Sequence, residues 1–267
     1  MRGVHYSYPG GPPVLHGINF SVQAGECLAI LGANGSGKST LLHLLDGLCF
    51  PTQGSVLAFG TELTEETVET PPFSREFRRQ VGLLFQNADA QLFCDTVEDE
   101  LAFGPLQLRL SAEQVDTRVL DVLRLFEIAH LRGRSPQTLS GGEKRKVALA
   151  SIITCGPQVI LADEPSAGLD PRTQQWLVEF LALLHRSGVT LIVSSNDLSF
   201  VAEVAGRALV LSEDHRLVYD GPLKQALSDL GLLLSVNLVH SHAHKHDGLV
   251  HGHPHLHEAW HEHGHRD

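Results

Sequence analysis

Apolar residues in this chain recur in two alternating patterns. Nearly unbroken apolar runs at residues 26–31, 55–59, 80–85, 189–195 and 207–211 predict strands. A further run, Val159-Ile160-Leu161-Ala162, ends in two carboxylates, Asp163 and Glu164. Between the runs the spacing becomes helical. Residues 38–48 carry Leu41, Leu42, Leu45 and Leu48 on one predicted face, and residues 111–127 carry Val115, Val119, Leu123 and Phe126. Ser111 with Gln114, and Ser140 with Glu143, form capping boxes that predict helix starts; Gly156-Pro157 ends the second helix. Asp170 can cap a further helix with Pro171 at its first position. Residues 212–215 read as a hairpin turn between the run 207–211 and a strand at 216–219. Strand and helix alternate, so the fold class is α/β with a mostly parallel sheet covered on both faces. Residues 88–150 hold helices without clear strands and predict a helical subdomain.

The run 26–31 enters Gly32-Ala33-Asn34-Gly35-Ser36-Gly37-Lys38-Ser39, followed by Thr40, which fits the G-x-x-x-x-G-K-[ST] phosphate loop. Glycines let such a loop turn tightly and aim backbone N–H groups at phosphates. Lys38 sets a cation against the β- and γ-phosphates, and the Ser39 hydroxyl suits Mg²⁺. Asp163, held at the carboxyl end of a buried strand, is the expected Mg²⁺ ligand, directly or through water.

These two motifs flank Leu139-Ser140-Gly141-Gly142-Glu143, and that order resembles the ATP-binding subunits of ABC transporters. The segment from Phe85-Gln86-Asn87 through Gln91-Leu92-Phe93 to Ala102-Phe103-Gly104-Pro105 closely resembles energy-coupling-factor importers, especially their cobalt and nickel branch. The resemblance covers residues 4–225. It implies a P-loop NTPase (RecA-like) core with an antiparallel β subdomain and a helical signature-motif subdomain. It implies ATP and Mg²⁺ bound at Gly32, Ala33, Asn34, Gly35, Ser36, Gly37, Lys38, Ser39 and Thr40. Tyr8, rather than its competitor Tyr6, would stack on adenine. Glu164 would polarise the attacking water, and Gln86 would touch both Mg²⁺ and that water. Ser140, Gly141 and Gly142 would grip the ATP of a second ATP-binding subunit, a copy or a paralogue. Residues 166–170 would carry signals between the two sites. Glu143 stands where glutamine is commoner. Asn196, before Asp197, stands where the family carries a histidine that contacts the γ-phosphate, so ATP binding is expected and fast hydrolysis is in question.

Composition changes this picture in two places. The net charge of −11 argues against a nucleic-acid partner, and no apolar run is long enough to cross a bilayer. The resemblance then implies a place at the cytoplasmic face of the cell membrane, held there by a transmembrane coupling subunit near residues 86–104 and a substrate-binding membrane subunit. Four scattered cysteines without a C-x-x-C fit inert thiols. Of the 17 histidines, eleven lie from residue 240 on: His240, His242, His244, His246, His251, His253, His255, His257, His261, His263 and His265. Imidazoles in that density suit Ni²⁺, Co²⁺ or Zn²⁺; a merely solubilising tail is the alternative. The domains expected are 1–226 (ATP binding), 227–239 (connecting helix) and 240–267 (a flexible, histidine-rich tail). Relatives usually carry several residues more before the first strand, which leaves a truncated start open. A transition-metal importer is the reading favoured. A catalytically weak partner of a competent paralogue, a vitamin importer and a soluble metal buffer remain as alternatives.

Overall fold

A computed structural model describes residues 1–246 and 249–256, with side chains through residue 239. The chain opens with the antiparallel strands β1 (Arg2–Ser7) and β2 (Pro13–Ile18). β3 (Cys27–Leu31) then runs into the interior and turns directly into α1 (Lys38–Leu45). β4 (Gln53–Ser55) returns to pair with β1, completing a three-stranded antiparallel sheet. A short ladder of β5 (Leu57–Ala58) and β6 (Thr61–Glu62) follows, then α2 (Glu65–Glu69) and α3 (Phe73–Gln80). β7 (Val81–Leu84) leads to three helices with no strand between them: α4 (Val97–Gln107), α5 (Ala112–Leu125) and α6 (Gly141–Ile153). Alternation resumes with β8 (Val159–Asp163), α7 (Pro171–Arg186), β9 (Thr190–Ser195), α8 (Leu198–Val204) and β10 (Arg207–Leu211). β11 (Leu217–Pro222) closes the main sheet, whose order is β11-β10-β3-β9-β8-β7. Only β11 is antiparallel to its neighbour.

Alternation along the buried strands divides the core. Ala29 and Leu31 face one way, with Ala162 and Val193, into a cluster shared with α4 to α8. Leu28 and Ile30 face the other way, with Leu161 and Ile192, into a cluster shared with α1 and the antiparallel sheet. Both capping boxes form: Ser111 with Gln114 opens α5, and Ser140 with Glu143 opens α6. Val115, Val119, Leu123 and Phe126 are all buried as the stripe predicts.

Several local expectations are corrected. α1 stops at Leu45 because Gly47 turns at φ +65°, so Leu48 is 49% exposed and Leu44 takes the buried place. The strand expected at 55–59 is split between β4 and β5, and Phe59 leaves it at φ +51°. The connecting helix expected at 227–239 is instead α9 (Leu223–Ser228) and α10 (Leu230–Ser235). Asp229 breaks them, its carboxylate accepting from the Leu232 N–H at 2.9 Å. Val236, Leu238 and Val239 then pack into the core. Where a flexible tail was expected, β12 (Val239–His246) and β13 (Leu249–Leu256) pair antiparallel. That register sets His240 opposite His255, His242 opposite His253, and His244 opposite His251. His257, His261, His263 and His265 lie outside the described residues.

Candidate functional site

Strand order decides what can meet. β9 lies between β3 and β8, and β7 lies beyond β8. All four run parallel, so residues 32–37, Gln86, Asp163, Glu164 and Asn196 emerge at one edge of the sheet, where open α/β sheets bind ligands. There a cleft of about 300 Å³ is lined by Val14, Asn34, Gly35, Gly37, Lys38, Ser39, Thr40, Gln86 and Glu164. A larger cleft of about 1000 Å³ lies elsewhere, among Phe20, Pro157, Val189 and Arg207. Its Arg207 is paired with Asp220 at 2.7 and 2.8 Å, whereas the smaller cleft gathers the phosphate loop, Gln86 and Glu164 and is the chemical one.

The phosphate loop is built on close approach. Gly37 sits at φ +106°, and a Cβ there would stand 2.9 Å from both the Val14 carbonyl oxygen and Leu15 Cδ2. Gly32 faces the same limit: its Cβ would be 2.5 Å from Ser36 Oγ. Lys38 is buried, and its Nζ donates to the Gly32 carbonyl at 2.9 Å and the Ala33 carbonyl at 3.3 Å. It also stands 3.1 Å from Glu164 Oε1. Glu164 Oε1 has that ionic contact but no hydrogen bond, and Ser36 Oγ is buried without a partner. A cation, a helix N-terminus and a hydroxyl awaiting a partner, gathered around one cleft, fit a polyphosphate.

The acidic pair is held by β9. Ser194 Oγ donates to Asp163 Oδ1 at 2.5 Å, and the Glu164 N–H points at the Ser194 carbonyl and hydroxyl (3.1 and 3.0 Å). Glu164 adopts φ +42°, a costly conformation for a residue with a Cβ, of the kind retained at functional sites. The Asn196 N–H donates to Glu164 Oε2 at 3.3 Å, and its side-chain amide reaches Asn34 Oδ1 at 3.4 Å. Asn196 thus touches two residues of the cleft although it does not itself line it.

Tyr8 is 44% exposed and its hydroxyl lies 3.0 Å from Thr40 Oγ1, whereas Tyr6 is buried beneath it, ring edge to face at 5.0 Å. Tyr8 is thus the more open of the two rings, beside the phosphate loop. β7 ends at Leu84, one residue short of the run 80–85, and Gln86 lies exposed in the bend beyond. Ser140, Gly141 and Gly142 do not line the cleft. They open α6, where Ser140 donates to Glu143 Oε2 through its N–H and its hydroxyl, both at 2.8 Å. Those bonds hold the Glu143 carboxyl below its usual range. Gly142 passes close to Thr173, on α7, whose cap Asp170 accepts from the Arg172 and Thr173 N–H groups.

Three features escape a reading of motifs alone. One is the Lys38–Glu164 ion pair. Another is Arg145, 4% exposed on α6, which donates to the carbonyls of Phe85 and Gln86 at 2.7 Å each. Its signal was available: Arg145 is a lone cation in helical register with the buried Ala148, Leu149 and Ile152. The third is an exposed aromatic pair beside the Gln86 bend. Phe93 (63% exposed) and Phe103 (40%) meet edge to face at 4.9 Å, and Glu100 accepts the Phe93 and Cys94 N–H groups at 2.9 and 2.8 Å. Among the described residues, no helix is long and apolar enough to cross a membrane, and no cluster of histidine, cysteine and acidic side chains could hold a metal ion.

A family model described as ABC transporter matches residues 15–167. A candidate ABC transporter ATP-binding protein of Methanosarcina acetivorans is 51% identical over 270 residues, spanning 100% of this chain and 98% of its own. The nickel import ATP-binding protein NikO of Rhodobacter capsulatus is 45% identical, over 90% of this chain and 94% of its own. Among solved structures, CbiO1 of Clostridium perfringens, part of the ABC transporter complex CbiONQ, superposes with a TM-score of 0.75 at 31% identity, covering 89% of this chain and 93% of that one. ABC ATPases take ATP with Mg²⁺ and function as dimers with transmembrane subunits. With a phosphate loop, an acidic strand end and a capped signature helix on this sheet, the chain belongs to the ATP-binding subunits of ABC transporters and is an ATPase coupled to transport.

Proposed function

We propose that this chain energises a transition-metal importer, with nickel or cobalt as cargo. The observation that carries the catalytic part is the shared cleft of Lys38, Ser39, Gln86 and Glu164 at the carboxyl edge of the sheet. Lys38 and the N-terminus of α1 would hold the phosphates. Ser39, Gln86 and Asp163 would hold Mg²⁺, which draws charge from the β- and γ-oxygens when bound. Glu164 would accept a proton from the attacking water, and Tyr8 would lie against adenine. Ser140, Gly141 and Gly142 do not line this chain's own cleft, which suits contact with ATP held by a second subunit. The Phe93–Phe103 pair suits docking of a transmembrane coupling subunit, since exposed aromatics that follow Gln86 in the chain offer an apolar contact.

Support for the cargo comes from the nickel import relative and the CbiO likeness, together with the histidine pattern after residue 239. Removing the gene and measuring uptake of labelled Ni²⁺, Co²⁺ and vitamins tests it. Loss of metal uptake alone is expected; loss of vitamin uptake with metal uptake intact would overturn it.

Asn196 motivates a second reading, a slow ATPase paired with a faster paralogue. Its backbone N–H steadies Glu164 while its shorter side chain is turned to Asn34. An ATPase assay of the isolated chain against the assembled complex separates the two.

A further inference from the structure

We propose that Arg145 is a positioning residue that sets Gln86 and ties it to the signature segment. A buried arginine normally answers a carboxylate. This one gives its two terminal nitrogens to the carbonyls of consecutive residues, Phe85 and Gln86, at 2.7 Å each. Both bonds are charge-assisted, and two of them fix a direction as well as a distance. Burial lowers the guanidinium pKa, and the charge of Asp163 opposes that shift. Arginine keeps its charge in proteins, and this cation lies close enough to Asp163 for the two charges to interact.

Two further contacts join the same segments. The Gln91 side chain donates to the Ala148 carbonyl of α6 at 3.0 Å and accepts from the Phe85 N–H at 3.2 Å. Lys144 pairs with Asp89 at 2.5 Å, but Asp89 is exposed and such pairs hold weakly. Residues 85–91 and the first turns of α6 therefore move as one body, with Arg145 as its buried fastening. Ser140 caps α6 and opens the segment expected to grip ATP on a second subunit. The bend it fastens carries Gln86, which serves this chain's own cleft. One side chain thus joins the two ends of that connection, so that a partner's ATP drawn onto Ser140–Gly142 resets Gln86. The inference rests on the proposed roles of Gln86 and of the signature segment. Lysine cannot replace the fork, because an ammonium is a point donor and cannot span two carbonyls in fixed geometry.

The test is a double-mutant cycle in the complex assembled with its membrane subunits. Wild type, Arg145→Lys, Gln86→Ala and the double variant are compared for kcat, KM, equilibrium ATP affinity and thermal midpoint. Arg145→Lys should lower kcat about 10- to 100-fold, the cost of displacing a catalytic group by an ångström or so. KM and ATP affinity should stay within about twofold, because the effect lies in the chemical step. Added to Gln86→Ala, Arg145→Lys should cost nothing more, since residues acting in one chain of contacts are not additive. If lysine leaves the protein unstable, Arg145→Gln, which keeps a donor for one carbonyl, serves in its place. Losses that multiply in the double variant, or that follow a falling thermal midpoint, would reduce Arg145 to a structural part and overturn the proposal. So would wild-type turnover by Arg145→Lys where Gln86→Ala is slow. Wild-type turnover by Gln86→Ala would instead remove the role of Gln86, and this inference with it.

Discussion

Replacing Glu164 with glutamine should make this chain bind ATP more tightly while hydrolysing it more slowly. Lys38 and Glu164 stand 3.1 Å apart with side chains only 6% and 10% exposed. At an effective dielectric constant of ~20, that separation corresponds to about 5 kcal/mol of attraction. Desolvation of two buried charges takes most of it back. A net value of about 1–2 kcal/mol must be given up when Lys38 turns to phosphate, and it corresponds to a factor of about 5–30 in affinity. Glutamine removes the competing charge without changing the shape of the site. Calorimetry with a non-hydrolysable ATP analogue, on dilute isolated chain so that subunit pairing does not contribute, should register the tighter binding. Turnover of the assembled complex should fall by about 10²–10⁴, the usual worth of a general base. Unchanged or weaker analogue affinity would refute the ion pair as a brake on nucleotide binding; unchanged turnover would remove Glu164 from the chemistry.

Asn196→His should raise turnover several-fold at nearly constant ATP affinity, because a donor to the γ-phosphate acts mainly in the transition state; a rate that does not change would mean that asparagine suffices. Asp46 is buried at the end of α1, and burial pushes its carboxyl up to about 7 despite Arg78 at 3.0 Å. A raised folded-state pKa means that the folded protein holds the proton more tightly, so stability falls as pH rises from about 4 to about 7. Asp46→Asn should match wild type near the acidic end and melt higher near pH ~8, by about 2–4 °C for each kcal/mol regained; equal melting curves at both ends would refute the assignment. Deleting residues 240–267 should abolish binding of several Ni²⁺ or Co²⁺ ions and leave ATP affinity alone. In the full chain those ions should leave as pH falls through about 6.5, the ordinary imidazole value. Equal metal stoichiometry after the deletion would exclude the tail.

Much of the site was legible because its parts are contiguous. A phosphate loop, a capping box and an apolar run ending in two acids are local statements, and each survived folding. Tyr8 could be preferred to Tyr6 from the phrase around it, and Tyr6 is the buried one of the two. What stayed hidden depends on distant partners or on main-chain atoms. Lys38 and Glu164 meet only because β9 brings β3 and β8 to the same edge. The burial of Arg145 was open to its helical register, but its partners are carbonyls, which carry no side-chain signature. The apolar run through Leu227, Leu230 and Leu232–Leu234 reads as one helix, and its break at Asp229 follows from a cap that competes with helix continuation. Leu48 was misplaced because helical spacing persists in the sequence one turn beyond the point where Gly47 ends the helix.

Vesicles carrying the assembled complex test directly the proposal that ATP held at Lys38 drives metal uptake. With MgATP on the side of this chain, wild type should accumulate labelled Ni²⁺ or Co²⁺, and Lys38→Ala should accumulate none while the complex remains assembled. Equal accumulation by both, or ATP hydrolysis by wild type with no metal movement, would contradict it.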